Sequence, residues 1–255
     1  KNQSKYFKVK RQIKESLLST MDVSDTKGEF FVDFEEDPNE YTHHMLLAGG
    51  TGSGKTHFAR EMCLRNLDGP KRSRRHFLII SSEWNEDSTL KPLKKDKYQQ
   101  YVTGIDISEN SLKDSEWSTK EDFFANEVKL RVEHAPRGAV VLCDDNMDSC
   151  CPDCMRRLIN RGFRVFRHQG ISLMVIIHSI RSGSWSSQAY NSIRYLVLFP
   201  RSQRGKIVNY LNQDVGLTLK EARETVRQFS QVSRHLIVRI HSPEVLIGQK
   251  LIKVL

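Results

Sequence analysis

The sequence predicts an α/β fold in which a mainly parallel central sheet is flanked by helices. Short, almost wholly apolar runs recur along the chain, and stretches of helical periodicity lie between them. A glycine-rich segment ending in Lys-Thr joins the first apolar run to a helical stretch. Strands buried on both faces appear as continuous apolar runs, and parallel strands need long crossover connections. These three observations together predict helices on both faces of the sheet.

The apolar runs are expected to form the sheet because they lack polar alternation. The five runs are Met45–Ala48, Phe77–Ile80, Ala139–Cys143, Leu173–Ile177 and Tyr195–Phe199. Two later runs flank Ser242-Pro243 and predict a terminal hairpin, with strands at Leu236–Ile240 and Val245–Gly248. The polar segment from Glu83 to about Trp117 has no clear pattern, so we expect a long functional or mobile loop there.

Two helix beginnings are marked by a capping-box pattern. Ser118 is followed three residues later by Glu121, and Thr218 is followed by Glu221. Taken with the apolar runs, the patterns predict an amino-terminal arm over 1–35, a core over 36–205, and carboxyl-terminal helices with the hairpin over 206–255.

The charge distribution indicates a basic protein. Lys and Arg number 40 against 31 acidic residues, a net charge of +9, and five arginines lie between Arg156 and Arg167. This excess favours contact with nucleic acid, although a solvated basic face is the alternative. No apolar run approaches the ~20 residues that a membrane helix needs. No amino-terminal segment resembles a secretory signal, so we expect neither a membrane partner nor secretion.

The chain has five cysteines, at positions 63, 143, 150, 151 and 154. Their odd number and the lack of a visible secretory signal predict free thiols in a reducing compartment. One C-x-x-C, from Cys151 to Cys154, leaves a structural zinc site as the alternative, for which His134, Cys143 or His168 would have to supply a fourth ligand.

The glycine-rich segment Gly49–Thr56 matches the Walker A pattern of a P-loop, with a strand before it and a helix after it. Backbone N–H groups and the helix amino terminus would hold the phosphates of ATP, and Lys55 would add a positive charge. The Thr56 hydroxyl would bind Mg²⁺. The nucleotide-contacting residues are therefore expected to be Gly50, Thr51, Gly52, Ser53, Gly54, Lys55, Thr56 and His57. The fold class is that of the P-loop NTPases, RecA/ASCE-like.

Two carboxylates, Asp144 and Asp145, follow the apolar run at Ala139–Cys143. We assign Asp144 to Mg²⁺ and Asp145 to the attacking water as general base, which together predict hydrolysis of ATP. The alternative for Asp145 is a cap on the next turn.

Polar and basic residues near the fourth of these runs are candidates for coupling the state of the nucleotide to movement. The run Leu173–Ile177 ends at His178, which we expect beside the P-loop strand as a γ-phosphate sensor, or else as a structural histidine. Arg167, and after it Arg164, are candidates for an arginine that a neighbouring subunit contributes to catalysis. The alternative for this stretch is a solvated or nucleic-acid-facing helix.

The order of these motifs resembles that of the viral genome-packaging ATPases of the FtsK/HerA superfamily, the poxvirus-like branch in particular. The likeness covers roughly residues 40–205. It depends on the P-loop, the Asp-Asp pair, and two runs, Arg167–Leu173 and Asn191–Phe199. In one departure, the strand at Leu173–Ile177 ends in His178 where the family commonly has Gln.

The resemblance implies a homo-oligomeric ring that uses ATP and Mg²⁺ to drive double-stranded DNA into a capsid, with a capsid or portal component as a further partner. By the family pattern Gly54, Lys55 and Thr56 bind nucleotide, Asp144 binds metal, and Asp145 stands where a catalytic acid is expected. The implied location is a viral assembly site in the host cytoplasm or nucleus, or the virion.

Two other functions fit the motifs. One is a helicase or remodeller of the same motor class. The other is a small-molecule kinase or nucleotide-switch binding module, whose lid the segment from Glu83 to Trp117 would supply.

Overall fold

The computed structural model describes residues 20–22, 34, 42–144, 149–180, 191–240, 245–248 and 251–254. The strands are β1 Thr20–Asp22, β2 Met45–Ala48, β3 Phe77–Ser81, β4 Val102–Asp106, β5 Val140–Asp144, β6 Ser172–Ile177, β7 Tyr195–Leu198, β8 Leu236–Arg239, β9 Val245–Ile247 and β10 Leu251–Val254. The α-helices are α1 Lys55–Asp68, α2 Glu109–Lys113, α3 Lys120–Phe123, α4 Leu130–Glu133, α5 Pro152–Gln169, α6 Arg204–Gln213 and α7 Leu219–Val232. A π-helical segment, Phe124–Lys129, joins α3 to α4, and 3₁₀ turns occur at Lys71–Ser73, Lys91–Lys94 and Asp96–Tyr98.

The chain divides into two compact units. The P-loop unit is Val32–Arg194, and the terminal unit combines Lys1–Phe31 with Tyr195–Leu255. The three-part division at residues 35 and 205 stays a prediction, and most of the expected arm lies outside the described residues. Among the helices that the structure describes, none has the length and apolar character needed to cross a bilayer.

The P-loop unit contains a parallel sheet in the order β2-β6-β5-β3-β4. This confirms the predicted strands of the unit, and it confirms that β6 lies beside the P-loop strand β2. The acidic strand β5 lies one position further along. Because all five strands are parallel, their carboxyl ends share one edge of the sheet, and ligands bind at that edge in open α/β sheets.

Strands β2, β5 and β6 are buried along their whole length, as their continuous apolar sequences predict. Helix α5 contacts β6 closely at one point. A Cβ on Gly162 would stand 2.8 Å from Leu173 Cδ2 and 2.9 Å from Phe166 Cε2. The missing side chain therefore lets the helix approach the sheet, and the basic residues of α5 are left on the opposite side.

The segment from Glu83 to Trp117 is not the long loop that the sequence predicts. It contains the edge strand β4 and helix α2, and Leu90, Leu93 and Tyr98 are buried. The sequence does not predict this strand because an edge strand needs little apolar character, and only Ile105 is buried in β4. The indole of Trp84 lies directly against Gly104, where a Cβ would clash with it.

The two predicted helix caps have different outcomes. At α7 the predicted capping box is confirmed, since Thr218 and Glu221 each accept from the other's backbone N–H. Before α3 the cap is Thr119, not Ser118, and its hydroxyl accepts from the Asp122 N–H at 3.1 Å. Here Asp122 takes the third helical position, so the acidic neighbour of Glu121 sets the helix start one residue later.

The terminal unit contains an antiparallel sheet in the order β1-β10-β9-β8-β7. Strands β8 and β9 pair with each other, which confirms the predicted terminal hairpin. Helix α7 buries Ala222, Val226 and Phe229, and the Phe229 ring lies against Gly248 at the end of β9.

Candidate nucleotide-binding site

The P-loop leaves β2 at the carboxyl edge of the sheet. The Gly49 N–H donates to the Ile177 carbonyl at the end of β6 (3.1 Å), and the Ser53 N–H closes a turn on the Gly50 carbonyl (3.2 Å). Gly52 and Gly54 have φ of 71° and 99°, values that side-chain-bearing residues rarely adopt. The two glycines therefore allow the chain to turn tightly and enter α1 at Lys55.

The P-loop has features that fit a phosphate group. The Ser53 hydroxyl is buried, yet the described residues offer it no hydrogen-bond partner. A buried hydroxyl without a partner costs about 1–3 kcal/mol, so an anionic oxygen here would remove a cost that the fold now carries. At Gly52 an added Cβ would meet nothing within 4 Å, which leaves open space beside the loop.

Lys55 is held at the mouth of the same loop. Its side chain is 7% exposed, and its Nζ donates to the Gly50 carbonyl at 3.0 Å. Because Lys55 is also the first residue of α1, its charge adds to the positive end of the helix dipole. Both features favour a negatively charged ligand at this position.

The P-loop and the acidic strand meet through Thr56 and Asp144. The Thr56 Oγ1 donates to Asp144 Oδ2 at 3.0 Å, although the two residues are 88 positions apart in the chain. Asp144 ends β5 and is 2% exposed. A hydroxyl and a carboxylate oxygen are the ligand types that Mg²⁺ prefers, so these two residues fit the metal.

The remaining candidates at this edge are placed differently. Asp145 lies outside the described residues, and its role as general base stays a prediction. His178 is exposed and follows β6 directly. Because Ala48 pairs with Ile177 in parallel register, His178 is level with Gly49 at the start of the P-loop. His57, on the first turn of α1, is exposed.

Arg164 and Arg167 lie far from this edge within the same chain. Helix α5 follows β5, has 18 residues and leads back into β6, so it covers about 27 Å from the carboxyl edge of the sheet to the amino edge. Both arginines are exposed and lie in its last two turns. The charge of Arg167 contributes to lowering the pKa of His44, which directly precedes β2.

Two buried histidines connect the amino ends of β2 and β6. The His43 N–H donates to Ser172 Oγ at 3.0 Å, and the Leu173 N–H donates to His44 Nδ1 at 3.2 Å. Burial, and after it the charge of Arg167, lowers the pKa of His44 from 6.5 to about 4. Burial, followed by Arg194, Arg75 and His44, lowers the pKa of His43 to about 3.

The expectation of free thiols is wrong for two of the five cysteines. Cys151 and Cys154 form a disulfide at the beginning of α5, with their Cα atoms 5.4 Å apart. Cys151 caps the helix and Cys154 lies three residues on, so both side chains fall on one end of it. This bond uses two of the three cysteines that the zinc alternative needed. The other cysteines are free and buried, and burial raises the pKa of Cys63 and Cys143.

A parallel sheet with a P-loop between β2 and α1, and with an acidic residue at the end of β5, defines the P-loop NTPase fold. No family model matches the chain, and no curated protein is significantly similar to it in sequence.

Several solved structures are similar to the chain at low identity. One is the genome packaging NTPase B204 of Sulfolobus turreted icosahedral virus 2, 16% identical over 85% of this chain and 97% of that chain, with a TM-score of 0.49. Another is B204, the DNA-packaging ATPase of Sulfolobus turreted icosahedral virus, 13% identical over 86% and 98% of the two chains, with a TM-score of 0.48. A third is the cytoplasmic domain of the Thermomonospora curvata type VII secretion ATPase EccC, 15% identical over 81% of this chain and 25% of that chain, with a TM-score of 0.47. Likeness of this degree carries no functional conclusion, which has to come from the residues of the chain itself.

Proposed function

We propose that the chain is an ATP-hydrolysing motor that translocates double-stranded DNA and packages a viral genome into a capsid. The observation that carries the ATPase part is the contact between Thr56 and Asp144. It brings the two metal-binding candidates together at the P-loop, where Lys55 and the buried Ser53 hydroxyl, which has no partner among the described residues, fit a phosphate chain.

Each residue has a distinct task in this proposal. The N–H groups of Gly50–Lys55 and the Lys55 ammonium hold the phosphates of ATP, while Thr56 and Asp144 hold Mg²⁺. When bound, the metal neutralises charge that develops on the phosphate oxygens. Asp145 orients the attacking water, and His178 senses the γ-phosphate from its place beside Gly49.

The motor part is supported by charge and by the order of the motifs. The chain carries a net charge of +9, and the exposed face of α5 is rich in arginine. The resemblance to packaging ATPases adds a homo-oligomeric ring, in which Arg167 or Arg164 acts on the nucleotide of a neighbouring copy. It also adds a capsid or portal partner and an assembly site in the host cytoplasm or nucleus.

The ATPase part is tested by steady-state hydrolysis with and without duplex DNA. We expect Lys55→Ala to lower the rate of hydrolysis at least about a hundredfold, because it removes the positive charge that stabilises the phosphate group during its transfer. Thr56→Val keeps the side-chain shape but removes the metal-binding oxygen, and it should lose Mg²⁺-dependent hydrolysis to a similar degree. Lys71→Ala, which removes an exposed lysine from the same unit, serves as the matched control.

The motor part needs a separate readout. Displacement of a third strand from a DNA triplex measures translocation along the duplex, and release of a labelled strand from a forked duplex measures unwinding. Unwinding without triplex displacement would favour the helicase alternative. Hydrolysis at the wild-type rate in the Lys55→Ala variant would contradict the proposed active site.

A further inference from the structure

The solvent face of α5 carries a line of three arginines and one histidine. Arg157, Arg161, Arg164 and His168 follow one another at spacings of four, three and four residues, and all four are exposed. At 3.6 residues per turn these positions fall within about 60° of one another on the helix. They lie opposite Met155, Gly162 and Phe166, which face the core. We call these four residues the arginine stripe.

The side-chain contacts of the stripe leave most of its charge uncompensated. Arg161 pairs with Glu133 at 3.0 Å, and both side chains are about half exposed, at 46% and 40%. Arg157 donates to Cys154 Sγ, and Arg164 donates to the Asn160 carbonyl. Neither of these two has a carboxylate partner among the residues that the structure describes. On the helix itself the one acidic residue is Asp153, which pairs with Arg156.

Arginine at these positions is informative because of its chemistry. A guanidinium is weakly hydrated and binds a phosphate with two parallel hydrogen bonds. Lysine would keep an exposed helix face soluble equally well, so the use of arginine favours phosphate binding. The pair of Arg161 with Glu133 is weak because both side chains are half exposed to solvent, so a phosphate can readily replace the carboxylate. From Arg157 to His168 the stripe covers about 16 Å, or about five base-pair steps of duplex DNA.

We propose that the arginine stripe binds the phosphate backbone of duplex DNA, which leaves Arg167 as the arginine that acts on the nucleotide of a neighbouring copy. This rests on the proposed function, since it names the surface through which the motor contacts its DNA. The stripe is a different surface from the P-loop, because it faces solvent from the side of α5 that lies away from the sheet. Backbone contact of this kind carries no sequence preference, as expected of a protein that moves along any sequence.

The test is the salt dependence of binding to a labelled duplex of mixed sequence, measured by fluorescence anisotropy on the full chain. Each phosphate contact contributes about −0.9 to the slope of log K against log salt. Arg157→Gln with Arg161→Gln should therefore make the slope less steep by about two and weaken binding at low salt. Arg157→Lys with Arg161→Lys retains both charges and should keep the slope. Glutamine and lysine are good helix formers, and circular dichroism verifies that each variant folds.

A matched control removes two exposed cations from elsewhere in the P-loop unit, by Lys71→Gln with Arg72→Gln. We expect this variant to bind DNA with the wild-type slope. If wild type binds no duplex DNA, both the proposed function and this inference fail. If wild type binds DNA but Arg157→Gln with Arg161→Gln leaves the salt slope unchanged, the inference alone is overturned. The same holds if the control variant reduces the salt slope as much as the stripe variant does.

Discussion

His43 and His44 should make the P-loop unit lose stability in mildly acidic solution. Both are buried at the amino ends of β2 and β6, and their pKa values are lowered from 6.5 to about 3 and about 4. In the unfolded chain they take up a proton near their ordinary pKa, but in the folded state they stay neutral until the pH is much lower. Between these limits the unfolded state binds more protons, so stability falls as the pH falls.

The size of the effect follows from the lowered pKa values. One pKa unit corresponds to about 1.4 kcal/mol, so each histidine should remove about 2 kcal/mol of unfolding free energy between about pH 7 and pH 5. Two such losses are large beside a typical total stability of about 5–15 kcal/mol. The decline begins near the unfolded pKa of 6.5 and ends for His44 once the pH passes its folded pKa of about 4.

His44→Asn isolates one of the two contributions. The Asn carbonyl can accept the hydrogen bond from the Leu173 N–H in place of Nδ1 and does not titrate. Urea unfolding can be followed by tryptophan fluorescence, to which Trp84 and Trp117 of the P-loop unit contribute. The free-energy difference between wild type and variant should shift by about 2 kcal/mol in favour of the variant on going from pH 7 to pH 5.

Ile176→Val, in the strand β6 that pairs with β2, provides a control. It should cost about 0.5–1.5 kcal/mol at both pH values, because it removes only a buried methylene. The reasoning about His44 is refuted if the asparagine variant and wild type keep the same free-energy difference at both pH values.

Two further substitutions test packing and capping. Thr218→Ala removes the side chain that accepts from the Glu221 N–H, so it should lower the free energy of unfolding by about 1 kcal/mol in a urea titration followed by circular dichroism, and Thr218→Ser should restore most of it. Gly104→Ala places a Cβ 1.8 Å from the Trp84 Cε2 position, so the indole must move off β4. We expect a loss of about 1–3 kcal/mol with a shift in tryptophan emission, and unchanged emission would contradict the packing of Trp84 on Gly104.

The strands that the sequence predicts correctly are those whose apolar runs are continuous. β2, β5 and β6 are buried on both faces, so each residue is under the same physical constraint and the pattern is unambiguous. β4 is an edge strand, and its Gly104 is explained by contact with Trp84, 20 residues earlier in the chain. No local pattern contains that information, because the partner becomes adjacent only in the folded chain.

In the candidate site, too, the local features could be predicted from the sequence and the contacts between distant segments could not. The P-loop could be predicted because its glycines, Lys55 and Thr56 are contiguous, and the local turn determines where their groups point. The contact of Thr56 with Asp144 depends on the order of the strands in the sheet. The P-loop and the acidic strand together imply that order, but the sequence of the residues between Thr56 and Asp144 does not show it. For this part of α5 the sequence predicts an excess of positive charge and, as one alternative, a solvated or nucleic-acid-facing helix, and the spacing of Arg157, Arg161 and Arg164 is a helical signal. That these arginines share a solvent-exposed face becomes clear only when the structure shows which side of α5 faces the core.

The position of Arg167 limits how a catalytic arginine could act. The charge of Arg167 is felt by His44, before the amino end of β2, whereas the P-loop begins after the carboxyl end of the same strand. The four residues of β2 separate these points by about 13 Å of strand. Arg164 and Arg167 are therefore at the wrong edge to act on the nucleotide of their own chain. If either contributes to hydrolysis, it does so on the P-loop of another copy, and the proposed ring becomes a requirement for activity. Mixing Lys55→Ala subunits with Arg167→Ala subunits would then restore hydrolysis that neither variant shows alone, because only mixed interfaces contain an intact P-loop facing an intact arginine.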